Sequence, residues 1–173
     1  MLVPRAIEAY LKARAALRTP MLRGRRLRVF LDPTDPYSTL LAQAVRPLCD
    51  ARTEVHIVTA PEAAYDPAPD QRQRYALVDA GRLARRFGLR FPTATEQPAQ
   101  PLVQRAVNVM ARARSVSEQL DAMAAVGQAL FANDADAMVA LVRDLGEAGN
   151  DVTVSRSSAL LSRLGHYQGS RCW

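Results

Sequence analysis

Two prolines placed just after a short apolar run constrain this chain more than any other feature: Arg28-Val29-Phe30-Leu31-Asp32-Pro33-Thr34-Asp35-Pro36-Tyr37-Ser38. Val29, Phe30 and Leu31 read as a strand, and proline sits badly inside a strand but well beside one, so the strand stops at Asp32. Asp35-Pro36 is a helix-start signature, because Asp caps free amides and Pro fits the first helical position, where no N–H is needed. Leu40, Leu41, Ala44, Val45 and Leu48 follow at helical spacing and predict a helix from Pro36 to about residue 51, with a kink or early end at Pro47. Asp35, Pro36, Tyr37 and Ser38 therefore stand at the positive end of a helix.

Thr53-Glu54-Val55-His56-Ile57-Val58-Thr59 is β-branched and alternating, which predicts a second strand. Strand, helix and strand at this spacing make a parallel pair with a right-handed crossover. A lone His56 within a strand reads as a packed or edge residue. Beyond the loop at 61–69 the pattern turns helical. From about Gln71 to Phe87, Ala76, Ala80, Leu83, Ala84 and Phe87 share a face, and Gly88 with Pro92 beyond it marks the stop. Gly81 inside that helix points to close packing. Three further helices are predicted, at about 102–113, 117–132 and 135–148. Ser115 to Glu118 forms a capping box before the second, Asn133-Asp134 caps the third, and Gly149-Asn150 ends it. A short helix at 155–164 and a strand-like tail from Tyr167 to Trp173 complete the pattern, so the insert at about 71–148 is all helical and the fold class is α/β.

The net charge of +6 has to be located before it is interpreted. Residues 1–28 hold eight basic side chains against Glu8, a net +7, which leaves 15 basic against 16 acidic, or −1, for the rest. The basic character thus belongs to an N-terminal arm, 1–26, that reads as a helix ended by Thr19-Pro20, followed by a basic connector. Its apolar stripe is short, so it reads first as a solvated or partner-packing helix, with docking on nucleic acid or a membrane surface as the weaker alternative; no specific nucleic acid and no membrane span are expected. Cys49 and Cys172 show no metal or redox spacing, so no metal is expected. No run of about 18 apolar residues crosses a bilayer and no secretory signal opens the chain, so the expected location is cytoplasmic.

Layout and motifs together resemble the DsbA-like thioredoxin-fold proteins, most of all 2-hydroxychromene-2-carboxylate isomerases and kappa-class glutathione transferases. The resemblance lies in Asp35-Pro36-Tyr37-Ser38, similar to the family's Ser-Pro-Tyr-Ser type of segment, and in Tyr75, Asp79, Arg82, Gly88, Phe91 and Pro92, similar to its insert pattern. It implies a thioredoxin-like β-α-β core over 27–173 with a large helical insertion and a glutathione-dependent isomerase or transferase acting on a small aromatic or electrophilic substrate. By the same resemblance Asp35 and Ser38 take the catalytic positions, and Pro36, Tyr37, Tyr75 and Arg82 bind the cofactor, glutathione.

The departures bear on mechanism. Asp35 and Ser38 stand where redox-active relatives carry cysteine, which excludes thiol–disulfide exchange there. A carboxylate at that position repels a thiolate about 4 Å away by roughly 1 to 4 kcal/mol, one to three decades in rate or affinity. Ser38, one turn along, offers a hydroxyl instead, and Asp35 itself is a base toward a carbon acid only if burial raises its pKa. No proline follows Pro101, so the cis-Pro platform of the fold has no counterpart. Ending at Trp173, the sequence lacks the closing hairpin and helix that the resemblance implies. Either the sequence is a fragment, or a partner or a following segment covers the sheet, since an uncovered edge is an association hazard; for an intact chain the expectation is a homo-oligomer. The competing expectation is a non-catalytic thioredoxin-like binding or scaffold module that keeps the architecture and has lost the nucleophile.

Overall fold

The computed structural model describes residues 26–59, 68–93, 96–112, 114–148, 152–164 and 171–172, with the backbone alone at 152, 153, 171 and 172. The N-terminal arm expected at 1–26 lies outside the described residues except for Arg26. Strand β1 (Leu27–Leu31) pairs in parallel with β2 (Thr53–Ile57), in a register that runs from Leu27 against Thr53 to Leu31 against Ile57. Strand β3 (Arg171–Cys172) returns antiparallel on the other side of β1, so the order is β2-β1-β3. The tail expected as a strand therefore does join the sheet at these two residues.

Being central, β1 is covered on both faces, and this is why it is an unbroken apolar run. Val29 and Leu31 point into the main core, while Phe30 points the opposite way against Val58 and Leu161. All three are fully buried, and each stabilises the fold by about 1.5–3 kcal/mol.

Helix α1 (Pro36–Val45) begins with Asp35 as its cap and Pro36 in its first turn, as expected, and tightens into a 3-10 turn over Arg46–Leu48 at Pro47. Its buried face differs from the expected stripe. Ser38, Thr39, Leu40, Ala42 and Val45 are buried, whereas Ala44 is exposed and Leu48 is 72% exposed. The reason is that α1 is covered from several sides, by the sheet, by α2 (Pro69–Phe87) and by α4 (Val116–Phe131), so small side chains replace a single leucine stripe.

On α2 the buried residues are Leu77, Ala80 and Ala84, and the two alanines let Leu40 of α1 approach closely. Phe87, expected on this face, is 65% exposed and stacks with the Arg86 guanidinium 5.8 Å from its ring centre. Gly88 does end the helix, with φ +67 and its N–H donating to the Ala84 carbonyl. Gly81 meets nothing within 4 Å of where a Cβ would stand, so the expected close packing is absent there. The close approach occurs at Gly127 of α4, where a Cβ would run into the Thr39 side chain.

Helices α3 (Gln100–Ala111), α4 and α5 (Ala135–Leu145) complete the insert, packed through Met110, Met123, Val126, Leu130 and Met138. Both expected caps are present: the Ser115–Glu118 box opens α4, and the Asp134 carboxylate accepts from the Ala137 N–H at 2.9 Å. The stop of α5 is a correction. It falls at Gly146, φ +71, where the Arg112 and Arg114 guanidiniums donate to the Leu145 carbonyl and Arg112 fills the space that a Cβ would take. Gly149-Asn150, where the stop was expected, lies outside the described residues. Helix α6 (Val152–Arg163) covers the opposite face of the sheet through Leu161.

Candidate functional site

The turn between β1 and α1 is built from short polar side chains. Its first element is Asp32, 1% exposed, whose Oδ1 accepts from the Thr34 N–H at 2.8 Å and from the Thr34 hydroxyl at 2.7 Å. This is the local closure that Asp favours in turns. The Asp35 N–H donates to the Asp32 carbonyl at 3.1 Å, which delivers Asp35 to the helix start. Its Oδ1 then accepts from the Tyr37 N–H at 3.1 Å, satisfying one of the open amides of the first turn. Ser38 closes the turn from below. Its fully buried Oγ accepts from the Asp32 N–H at 2.9 Å, the peptide group just past the last residue of β1.

Tyr37 links this turn to α2. Its hydroxyl donates to Asp79 Oδ2 at 2.9 Å across 42 residues of sequence. Burial, then the hydrogen bond and charge of Asp79, then the charge of Asp35, push the phenol up to about 12, so it stays a neutral donor at any physiological pH. Tyr75, Asp79 and Arg82 are spaced four and three residues apart and so share one stripe of α2, with Asp79 in the middle reaching α1. Tyr75, 68% exposed, and the exposed Arg82 flank it.

The six residues expected at a site are thus brought together in two ways. Asp35, Pro36, Tyr37 and Ser38 form the helix start itself, and Tyr75 and Arg82 lie along the helix that Tyr37 grips. Their chemistry is largely structural. Pro36 and Ser38 are buried, the Asp35 carboxylate caps, and the Tyr37 proton is held by Asp79. A thiolate brought here meets Asp35 and Asp79 as negative neighbours and finds the phenolic hydrogen already given. Asp79 was legible as part of a Y-x-x-x-D-x-x-R pattern, yet nothing in the sequence says that its partner is Tyr37. His56 stacks on Phe30, with ring centres 4.9 Å apart, and burial holds its imidazole below the usual histidine range. It packs, as a strand histidine is expected to.

A groove of about 600 Å³ lies elsewhere, between the starts of α3 and α5, with Gln97, Pro101, Arg105 and Asn133 among its lining residues. Among the described residues, no cluster of three or more His, Cys, Asp or Glu side chains is arranged to hold a metal, and no helix is long and apolar enough to cross a membrane. No protein-family model matches this chain, and no curated protein does.

Proposed function

We propose that this chain is a thioredoxin-like binding module of the DsbA-like type that retains the architecture of a catalytic tip without its chemistry. Support for the architecture comes from the order of elements: strand, helix and parallel strand, then a helical insert, then a strand that returns beside β1. The observation that carries the loss of chemistry is the engagement of both expected catalytic side chains by the turn itself. Ser38 Oγ is fully buried against the Asp32 N–H, and the Asp35 carboxylate holds the Tyr37 N–H. Its location on this reading is the cytoplasm.

A second reading, a glutathione-dependent isomerase or transferase for a small aromatic or electrophilic substrate, draws on one feature. Tyr75 and Arg82 stand exposed on the stripe of α2 that carries Asp79, an aromatic face and a cation suited to an aromatic carboxylate. The two readings part on glutathione. A ligand at 100 times its dissociation constant adds about 2.7 kcal/mol of stability, so millimolar glutathione raises the thermal midpoint if it is a cofactor. The expected result is no shift, and no turnover of a 2-hydroxychromene-2-carboxylate. A rise in midpoint, or turnover that Asp35→Ala abolishes, replaces the binding-module reading with the enzymatic one.

A further inference from the structure

Strand β2 is the outer strand on one side of the sheet, and its ladder shows which of its peptide groups are in use. Leu27 N–H donates to the Arg52 carbonyl and Val58 N–H donates to the Leu31 carbonyl. Along a strand, residues that turn both backbone groups to one neighbour alternate with residues that turn both away. Residues 52, 54, 56 and 58 therefore face β1, and Thr53, Val55 and Ile57 face outward. Thr53 N–H is recovered by the Asp50 carbonyl at 3.0 Å. Among the described residues, Val55 N–H, Val55 C=O and Ile57 N–H have no partner.

The two ionisable side chains of the strand, Glu54 and His56, lie on one face of it. His56 Nε2 is buried with no hydrogen-bond partner, and its own Glu54 carboxylate stays 3.7 Å away, past hydrogen-bonding length. That carboxylate is turned toward Arg26 and Arg28 instead. The His56 ring lies on Phe30 of β1 and the Glu54 carboxylate on Arg28, so both side chains stand on the same face of the sheet beside the open edge.

Thr53-Glu54-Val55-His56-Ile57 is self-complementary when run against itself in the opposite direction. With a two-fold axis at Val55, each Val55 exchanges both backbone bonds with its counterpart. Glu54 then falls opposite His56 of the second copy, at the non-hydrogen-bonded position where side chains stand closest, and the symmetry makes this pair twice. A slip by one residue would turn the outward groups of one copy toward residues that face β1, so the register is specified. Shortness and the charge of Glu54 guard the edge against indiscriminate pairing, which leaves the self-matched register as the favoured one.

From this we infer that β2 is a self-pairing edge, through which two copies of this chain join their three-stranded sheets antiparallel about Val55. The inference stands apart from the reading of the α1 tip, since it uses neither Asp35 nor Ser38.

Val55→Pro tests it, because that N–H points away from β1. Proline there removes an edge donor and no bond of the β1–β2 ladder, a placement that edge strands tolerate. In sedimentation of the full chain across a concentration series, the wild type is expected to form a dimer, and Val55→Pro to raise its dissociation constant by about tenfold or more. The circular dichroism of the variant should be unchanged. A wild type that stays monomeric, or a folded variant that dimerises as well as the wild type, overturns the proposal. Should the variant fail to fold, amide exchange of the wild type decides. Val55 and Ile57 amides are expected to exchange slowly in concentrated samples and fast in dilute ones, and fast exchange in both overturns it.

Discussion

The tip of α1 and the edge of β2 are made of the same materials, peptide groups outside the helix and ladder bonds with short polar or ionisable side chains beside them, and they end in opposite states. At the tip, Asp32, Asp35, Ser38 and Tyr37 bond one another and reach Asp79, so the turn is tied shut. Along the edge, Val55 and Ile57 keep backbone groups that no bond among the described residues uses. Polar side chains thus consume the open peptide groups where they fold back on the turn, and leave them outward where the strand carries alternating side chains instead.

The largest effect that sharpens this contrast is expected from Ser38→Ala. It strips the acceptor from the buried Asp32 N–H, and a buried donor left unsatisfied costs about 1–3 kcal/mol. Chemical denaturation should show that loss, with association of the chain unchanged. An effect near zero would mean that the turn is not held by this bond and that the hydroxyl is available for other work.

A smaller effect is expected at Tyr37. The folded state holds the phenolic proton up to about 12, against 10.0 for the free side chain. This contribution is whole below pH 10, where folded and unfolded chains are both protonated, and drains away as pH rises from 10 to about 12. Tyr37→Phe should lose about 0.5–1.5 kcal/mol at neutral pH, as typical for one hydrogen bond. It should also flatten the stability profile in that alkaline window. A wild-type phenolate that titrates at 10 would break the Tyr37–Asp79 link from which the closed tip is argued.

The smallest belongs to the edge. Hydrogen bonds from Arg26 and Arg28 draw the Glu54 carboxyl down to about 2, from the model-peptide value of 4.5. Its contribution is present above pH 4.5 and is lost as pH falls toward about 2. Both arginine side chains reach solvent, which screens their ion pairs with the half-buried carboxylate, so Glu54→Gln should change stability by no more than about 1 kcal/mol, measured by thermal unfolding at neutral pH. A larger loss would show that Glu54 carries folding, and the edge would then be consolidated like the tip.

Several elements were legible because their causes are local. Pro33 and Pro36 bracket the turn, Asp35 caps two residues ahead, Ser115 and Glu118 cap each other across three, and Gly88 takes a left-handed φ that ends its helix. Such signals act within a turn of chain, where neighbouring residues are enough to read them. What the candidate site does was not legible. The sequence placed Asp35, Tyr37 and Ser38 at a helix start, but Ser38 is buried because the sheet and neighbouring helices cover α1 on several sides, and no periodicity announces that.

By itself the sequence determined where β1 stops, where α1 starts and that a helical insert follows β2, since prolines, caps and side-chain period decide these within a few residues. Only the tertiary structure decided which face of α1 is buried, that Gly127 and not Gly81 sits at the close approach, that Tyr37 meets Asp79 across 42 residues, and which peptide groups of β2 remain outward. Those outcomes depend on which elements become neighbours in space, and contacts between distant segments are set by the packing of the whole core rather than by any local preference.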